Sequence, residues 1–147
     1  ENVDIRSSYA IETKIGNNTT VGPFACLRKG ANIGAYCRVG DFVEVKNSNI
    51  SDGVKMAHLA YVGDSDVGEN TNIGCGSVFA NYNGVSKQRC MVGSNVFIGA
   101  NTNLVAPVTV HNGAFIAAGS TITKDIPEGN FCIARSRQVF KENWERK

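Results

Sequence analysis

The 147-residue sequence contains no apolar run approaching the ~18 residues of a membrane span, no basic-then-apolar leader and only 3 prolines. The first absence argues against a helical membrane protein. An excess of one charge is missing too: 15 basic against 13 acidic residues leave a net charge of +2. A surface that coats nucleic acid needs a far larger basic excess, so that class is excluded. The five cysteines (Cys26, Cys37, Cys75, Cys90 and Cys132) show no metal-type or redox-type pair spacing. They read as small buried thiols in a reducing compartment, which points to the cytoplasm. Two histidines without Glu or Cys at ligand spacing give no metal site. The opening Glu1-Asn2-Val3 lacks an initiator Met and starts in mid-pattern, so an excised or processed fragment is expected.

Glycine, by contrast, is plentiful at 16 residues, and it recurs with a period. Aliphatic residues stand at Ile15, Val21, Leu27, Ile33, Val39, Val45, Ile50, Met56, Val62, Val67, Ile73 and Phe79, and again at Val92, Ile98, Leu104, Val110, Ile116 and Ile122. The step is six residues except for two steps of five (Val45 to Ile50, Val62 to Val67) and one of thirteen (Phe79 to Val92). Four residues further on stand small or β-branched side chains such as Thr19, Ala25, Cys37, Ala60, Thr71 and Ser120. No α-helix has a period of six, and an alternating strand needs no glycine at every sixth position. A solenoid of short strands with a corner every six residues needs both. Three hexads close one triangular coil, so eighteen hexads predict about six coils whose strands stack ~4.8 Å apart. The domain expectation is a β-helix over 1–123 with a protruding loop, and a C-terminal tail over 124–147 packed on the helix or on a neighbouring subunit. Lys124 to Asn130 reads as a turn.

Every third hexad falls on the same wall, so columns are legible without coordinates. The hexads at Leu27 and Val45 place Arg28 above Lys46, ~5 Å apart, and such a pair repels unless an anion lies between. Tyr61 and the loop of Asn81, Tyr82 and Lys87 follow on that wall. Two readings stand: a phosphate-plus-sugar site, or solvated corner charges. The hexads at Met56, Ile73, Ile98 and Ile116 form a second column whose third residues are His58, Cys75, Ala100 and Ala118. One imidazole thus heads ~14 Å of small side chains, a groove shaped for the pantetheine arm of coenzyme A. His111 reads as a surface residue.

Several stretches go beyond the repeat: Val39-Gly40-Asp41-Phe42-Val43-Glu44-Val45-Lys46, Ala57-His58-Leu59-Ala60-Tyr61-Val62-Gly63-Asp64, Asn81-Tyr82-Asn83-Gly84, Leu104-Val105-Ala106-Pro107-Val108 and Ala117-Ala118-Gly119-Ser120. From about Tyr9 to Trp144 the chain closely resembles the C-terminal acetyltransferase domain of the bacterial bifunctional N-acetylglucosamine-1-phosphate uridyltransferase/glucosamine-1-phosphate N-acetyltransferase, a hexapeptide-repeat family. The resemblance implies a left-handed parallel β-helix, a cytoplasmic homotrimer with sites between subunits, acetyl-CoA as co-substrate and no metal in this domain. It implies that His58 is the general base and that Arg28, Lys46, Tyr61 and Asn72 hold the sugar phosphate. Lys87 matches a loop lysine that reaches a neighbouring subunit's site. Cys75, Asn81, Tyr82, Ala100, Ala118 and Arg135 match acetyl-CoA-contacting positions. The sequence departs from the family at Lys29 (usually Pro), Cys75 (commonly Ala), Ala100 (commonly Ser) and Asn83 (commonly Asp). Nothing in the chain matches the family's uridyltransferase domain.

The activity so implied is acetyl transfer from acetyl-CoA to the amine of glucosamine 1-phosphate. Its product feeds UDP-N-acetylglucosamine, peptidoglycan and lipopolysaccharide synthesis, and hence cell shape. His58 would take the amine proton, with a backbone N–H or the amide of Asn72 or Asn81 facing the tetrahedral oxyanion. The rival readings are a hexapeptide acyltransferase acting on serine, a nucleotide-linked amino sugar or tetrahydrodipicolinate, and a non-catalytic β-helical scaffold.

Overall fold

The computed structural model describes residues 1–142 and 144–145, and among these it contains strands and turns but no helix. Nineteen short strands pair only in parallel. The rungs fall on three walls. The first wall stacks Ile5, Val21, Val39, Met56, Ile73, Ile98, Ile116 and Cys132. Ala10, Leu27, Val45, Val62, Phe79, Leu104 and Ile122 make the second. The third carries Ile15, Ile33, Ile50, Val67, Val92 and Val110, with Ile126 bridged to Val110. All eighteen aliphatic positions of the sequence frame occupy the walls it assigns. The repeats make this a left-handed parallel β-helix.

The coil is longer than the frame suggests: about seven turns, not six. The segment expected to leave the helix at Lys124 adds a rung, because Ile126 is buried and Phe131–Cys132 pairs with Phe115–Ile116. The frame missed this coil because Ile122 to Ile126 is a step of four. Of the tail expectation over 124–147, positions 143, 146 and 147 lie outside the described residues.

The aliphatic series fills the prism. Leu27, Val39, Val45, Met56, Val62, Phe79, Ile98, Leu104, Val110 and Ile116 are fully enclosed, and each such side chain contributes about 1.5–3 kcal/mol by leaving water. The small residues four positions on (Thr19, Ala25, Ala31, Cys37, Val43, Ala60, Thr71, Ser77, Thr102, Ala114 and Ser120) are also buried. Their hydroxyls close backbone gaps, as where Thr71 donates to the Gly93 carbonyl and accepts from the Val96 N–H.

Two strands differ from the rest. Arg38–Lys46 and Lys55–Gly63 run nine residues each, straight past the corner between the first and second walls. They merge those walls into one 13-stranded sheet, while the third wall remains a separate six-stranded sheet. They pair with each other from Arg38↔Lys55 to Lys46↔Gly63. This double-length ladder carries Asp41, Lys46, His58 and Tyr61.

Candidate active site

His58 lies where the ladder turns from the first wall to the second, opposite Asp41 in register. The imidazole Nδ1 is 2.7 Å from Asp41 Oδ1. That hydrogen bond, ahead of every other influence, holds the Asp41 carboxyl below the ordinary aspartate value. Gly40 makes the approach possible, since a Cβ there would collide with the carbonyl oxygen of Ala57. The next residues, Phe42 and Leu59, take φ of 57° and 30°. That left-handed conformation is costly for bulky side chains.

The small column rises from His58 as expected. The Leu59 carbonyl accepts from Gly76 N–H, that of Cys75 from Asn101 and that of Ala100 from Gly119, so His58, Cys75, Ala100 and Ala118 follow one corner. The last three are exposed along it. At its far end Arg135 donates from Nη1 to the Ala118 carbonyl at 2.6 Å. Cys75 corrects the expectation of buried thiols. Only Cys37 and Cys90 are buried, and burial raises both, Cys90 to about 11.

The cations gather at the corner between the second and third walls. Arg28 forms a 2.8 Å ion pair with Glu44, which raises its pKa. Lys46 is half-buried, and the Lys87 ammonium of the same chain converges on it. That convergence, followed by desolvation, pushes Lys46 below the usual lysine value, while Asp64 opposes the shift. Lys87, which the resemblance assigns to a neighbour's site, thus lies beside Lys46 of its own chain.

Asp64, absent from the sequence reading, sits beneath this cluster at 5% exposure. One carboxylate oxygen accepts from the Asn47 amide and the other from Asn81. Burial alone would raise its pKa. The Asn47 and Asn81 hydrogen bonds and the Lys46 and Lys87 charges prevail and hold it low. The Asn81 amide also reaches the Tyr61 hydroxyl at 3.3 Å. Asn81 therefore belongs to the cation cluster and not to the small column, and Tyr82 beside it is exposed, its hydroxyl on the Gly84 carbonyl. Asn72 lies across the corner on the first wall, between Lys55 and Phe97 in register. The chain does not bring it to the cations.

Between the His58 corner and the cation corner the second wall holds a cavity of about 380 Å³, lined by Phe42, Glu44, Leu59, Tyr61, Ser77 and Val78. His111 is exposed and away from both corners. Among the described residues no three His, Cys, Asp or Glu side chains cluster to hold a metal ion.

The bacterial transferase hexapeptide model, of six repeats, matches residues 12–47 and 89–124. The chain is 54% identical over 98% of its length to bifunctional protein GlmU of Clostridium acetobutylicum, and 55% identical over 99% to that of Staphylococcus epidermidis. It spans about a third of those curated relatives, 32% of each. Among solved structures, a Francisella novicida UDP-N-acetylglucosamine acyltransferase superposes with a TM-score of 0.70 at 16% identity, over 88% of this chain and 62% of that one. The N-acyltransferase AntD of Bacillus cereus superposes with a TM-score of 0.59 at 12% identity, over 94% and 82%. At these identities the likeness is one of fold.

Proposed function

We propose, from the premise that this chain belongs to the bacterial hexapeptide-repeat transferases, that it moves acetyl from acetyl-CoA to the amine of glucosamine 1-phosphate. The product would be N-acetylglucosamine 1-phosphate, a precursor of UDP-N-acetylglucosamine. The name and high identity of the bifunctional relatives support this reading. One observation carries it: the Asp41–His58 pair stands at one edge of a wall cavity and the cations Arg28, Lys46 and Lys87 at the other. An amine and a phosphate on one small ring need that arrangement.

In the proposed reaction Asp41 accepts a hydrogen bond from Nδ1–H of His58, which leaves Nε2 free to accept a proton. The phosphate ion-pairs with Arg28, Lys46 and Lys87, so the amine is presented in a fixed direction. His58 removes a proton as the nitrogen attacks the thioester carbonyl. The C–N bond forms, the C–S bond breaks, and the coenzyme A thiolate leaves and is protonated. Asn81 spends its amide hydrogens on Asp64 and Tyr61. The developing oxyanion is therefore assigned to Asn72 or a backbone N–H.

Acetyl-CoA is placed along Cys75, Ala100 and Ala118, with Arg135 at its phosphate end. Asn81 and Tyr82 lie at a different corner of the chain from that column. A cofactor that meets both sets requires two chains, which supports a homotrimer with sites between subunits and a tail packed across them. All five cysteines are free, in keeping with the cytoplasm. Among the described residues no helix is long and apolar enough to cross a membrane.

The test is a thiol-release assay with acetyl-CoA and glucosamine 1-phosphate, glucosamine 6-phosphate or serine as acceptor. Fastest release with the 1-phosphate is expected. Serine as the best acceptor, or no release with any amino sugar, would overturn the proposal.

A further inference from the structure

The column at the corner between the second and third walls contains a carboxylate for which substrate contact has no use. Asp64 is buried, both of its oxygens are taken by carboxamides from the coils on either side, its backbone N–H donates to the Lys46 carbonyl, and the charges of Lys46 and Lys87 help to hold its carboxyl low. A buried charge is costly unless it is hydrogen-bonded, and here each carboxylate oxygen accepts from a carboxamide. Lys46 and Lys87 would repel each other across the same opening if nothing negative lay behind them. Asn81, the upper carboxamide, passes the connection to Tyr61, which faces the wall cavity. Gly63 keeps that route open, since a Cβ there would strike the Tyr61 hydroxyl and the Asn81 amide.

We infer that Asp64 is a positioning residue. It holds Lys46 and Lys87 together as one phosphate clamp and fixes Asn81 and Tyr61 relative to that clamp, so that the site selects a phosphorylated acceptor. The inference rests on the acetyl-transfer reading above for its substrate. The selectivity it explains is a matter of binding: Asp64 touches no reacting atom.

Asp64→Asn tests it, because Asn keeps the shape and tolerates the φ of 48° found there. The amide cannot accept from both carboxamides and lends the lysines no charge. The KM for glucosamine 1-phosphate should rise roughly tenfold to hundredfold, with kcat within about threefold of wild type. A merely structural role would lower kcat and thermal stability and leave KM in place. An unchanged KM in a folded variant, or a fall in kcat alone, overturns the inference. Where Asp64→Asn fails to fold by circular dichroism, Asn47→Gly decides. It removes one amide at a position whose φ of 44° suits glycine. A rise in KM of about threefold is then expected, and no rise refutes the role. Calorimetric titration with glucosamine 1-phosphate alone separates the two proposals. Should wild type bind the sugar phosphate but transfer no acetyl group, the acetyl-transfer reading fails while weaker binding by Asp64→Asn still upholds the clamp.

Discussion

At the scale of single residues, His58 and Asp41 divide one task. In the proposed reaction the imidazole moves the proton, and the carboxylate 2.7 Å away sets which nitrogen is free to take it. His58→Ala is expected to lower kcat roughly 10²–10⁴-fold, with the melting temperature kept because the side chain is exposed. Asp41→Asn should cost less in kcat and leave both KM values near wild type, and ¹⁵N spectra of labelled histidine should show loss of the Nδ1–H form. A second expectation concerns Lys46, whose pKa is lowered first by Lys87, then by burial, and also by Arg28 on its far side, against the opposing charge of Asp64. Phosphate binding needs the protonated amine, so KM should start to rise at a lower pH than an ordinary lysine would allow. In Lys87→Ala that rise should move to higher pH while affinity at neutral pH falls, which pH-dependent KM measurements would show. His58, Arg28 and Lys46 were legible in the sequence because they break the rule of small or glycine residues at corners. Asp41 obeys the column arithmetic as well, one coil below His58, but an acid at an exposed corner carries no signal until its partner's position is known. Asp64 carries no signal in the sequence, and only its burial reveals it.

At the scale of elements, departures from the six-residue step gather the Asp64 and cation cluster. The two steps of five, Val45 to Ile50 and Val62 to Val67, stack at the same corner and bring Asn47 under Asp64. The thirteen-residue step on the next coil supplies Asn81 above and Lys87 beside. The regular hexads build walls and the irregular ones build the proposed clamp, a signal present in the spacing itself. What spacing does not contain is that Arg38–Lys46 and Lys55–Gly63 run unbroken past a corner. Gly40 lets the two backbones close on each other there. Gly40→Ala must push Ala57 away and with it His58. The change should destabilise the fold by about 1–3 kcal/mol, a cost typical of overpacking. Below the melting temperature it should depress kcat more than the lost folded fraction explains. Urea unfolding measured beside initial rates separates the two effects.

At the scale of the whole molecule, a solenoid interacts mainly between neighbouring coils, so one chain cannot fold a corner of the first coils over a distant one. The small column from His58 to Ala118 and the Asn81–Tyr82 corner remain apart within a chain. Periodicity made each column legible but is silent on which columns meet, because in the proposed homotrimer that is decided by rotation of whole chains about a symmetry axis. Subunit complementation tests the proposed answer. His58→Ala removes the base from one face, and Tyr82→Ala removes a proposed cofactor contact from the other. Each should be impaired alone, and neither substitution touches the core, since both side chains are exposed. In a trimer reassembled from equal amounts of the two, a given interface joins an intact His58 face to an intact Tyr82 face about one time in four. The mixture should therefore work faster than the average of the two separate preparations. A mixture that equals that average would mean that each chain holds its acetyl donor alone, and the corner at Asn81 and Tyr82 would then have to serve the sugar phosphate, where the Asp64 clamp already places half of it.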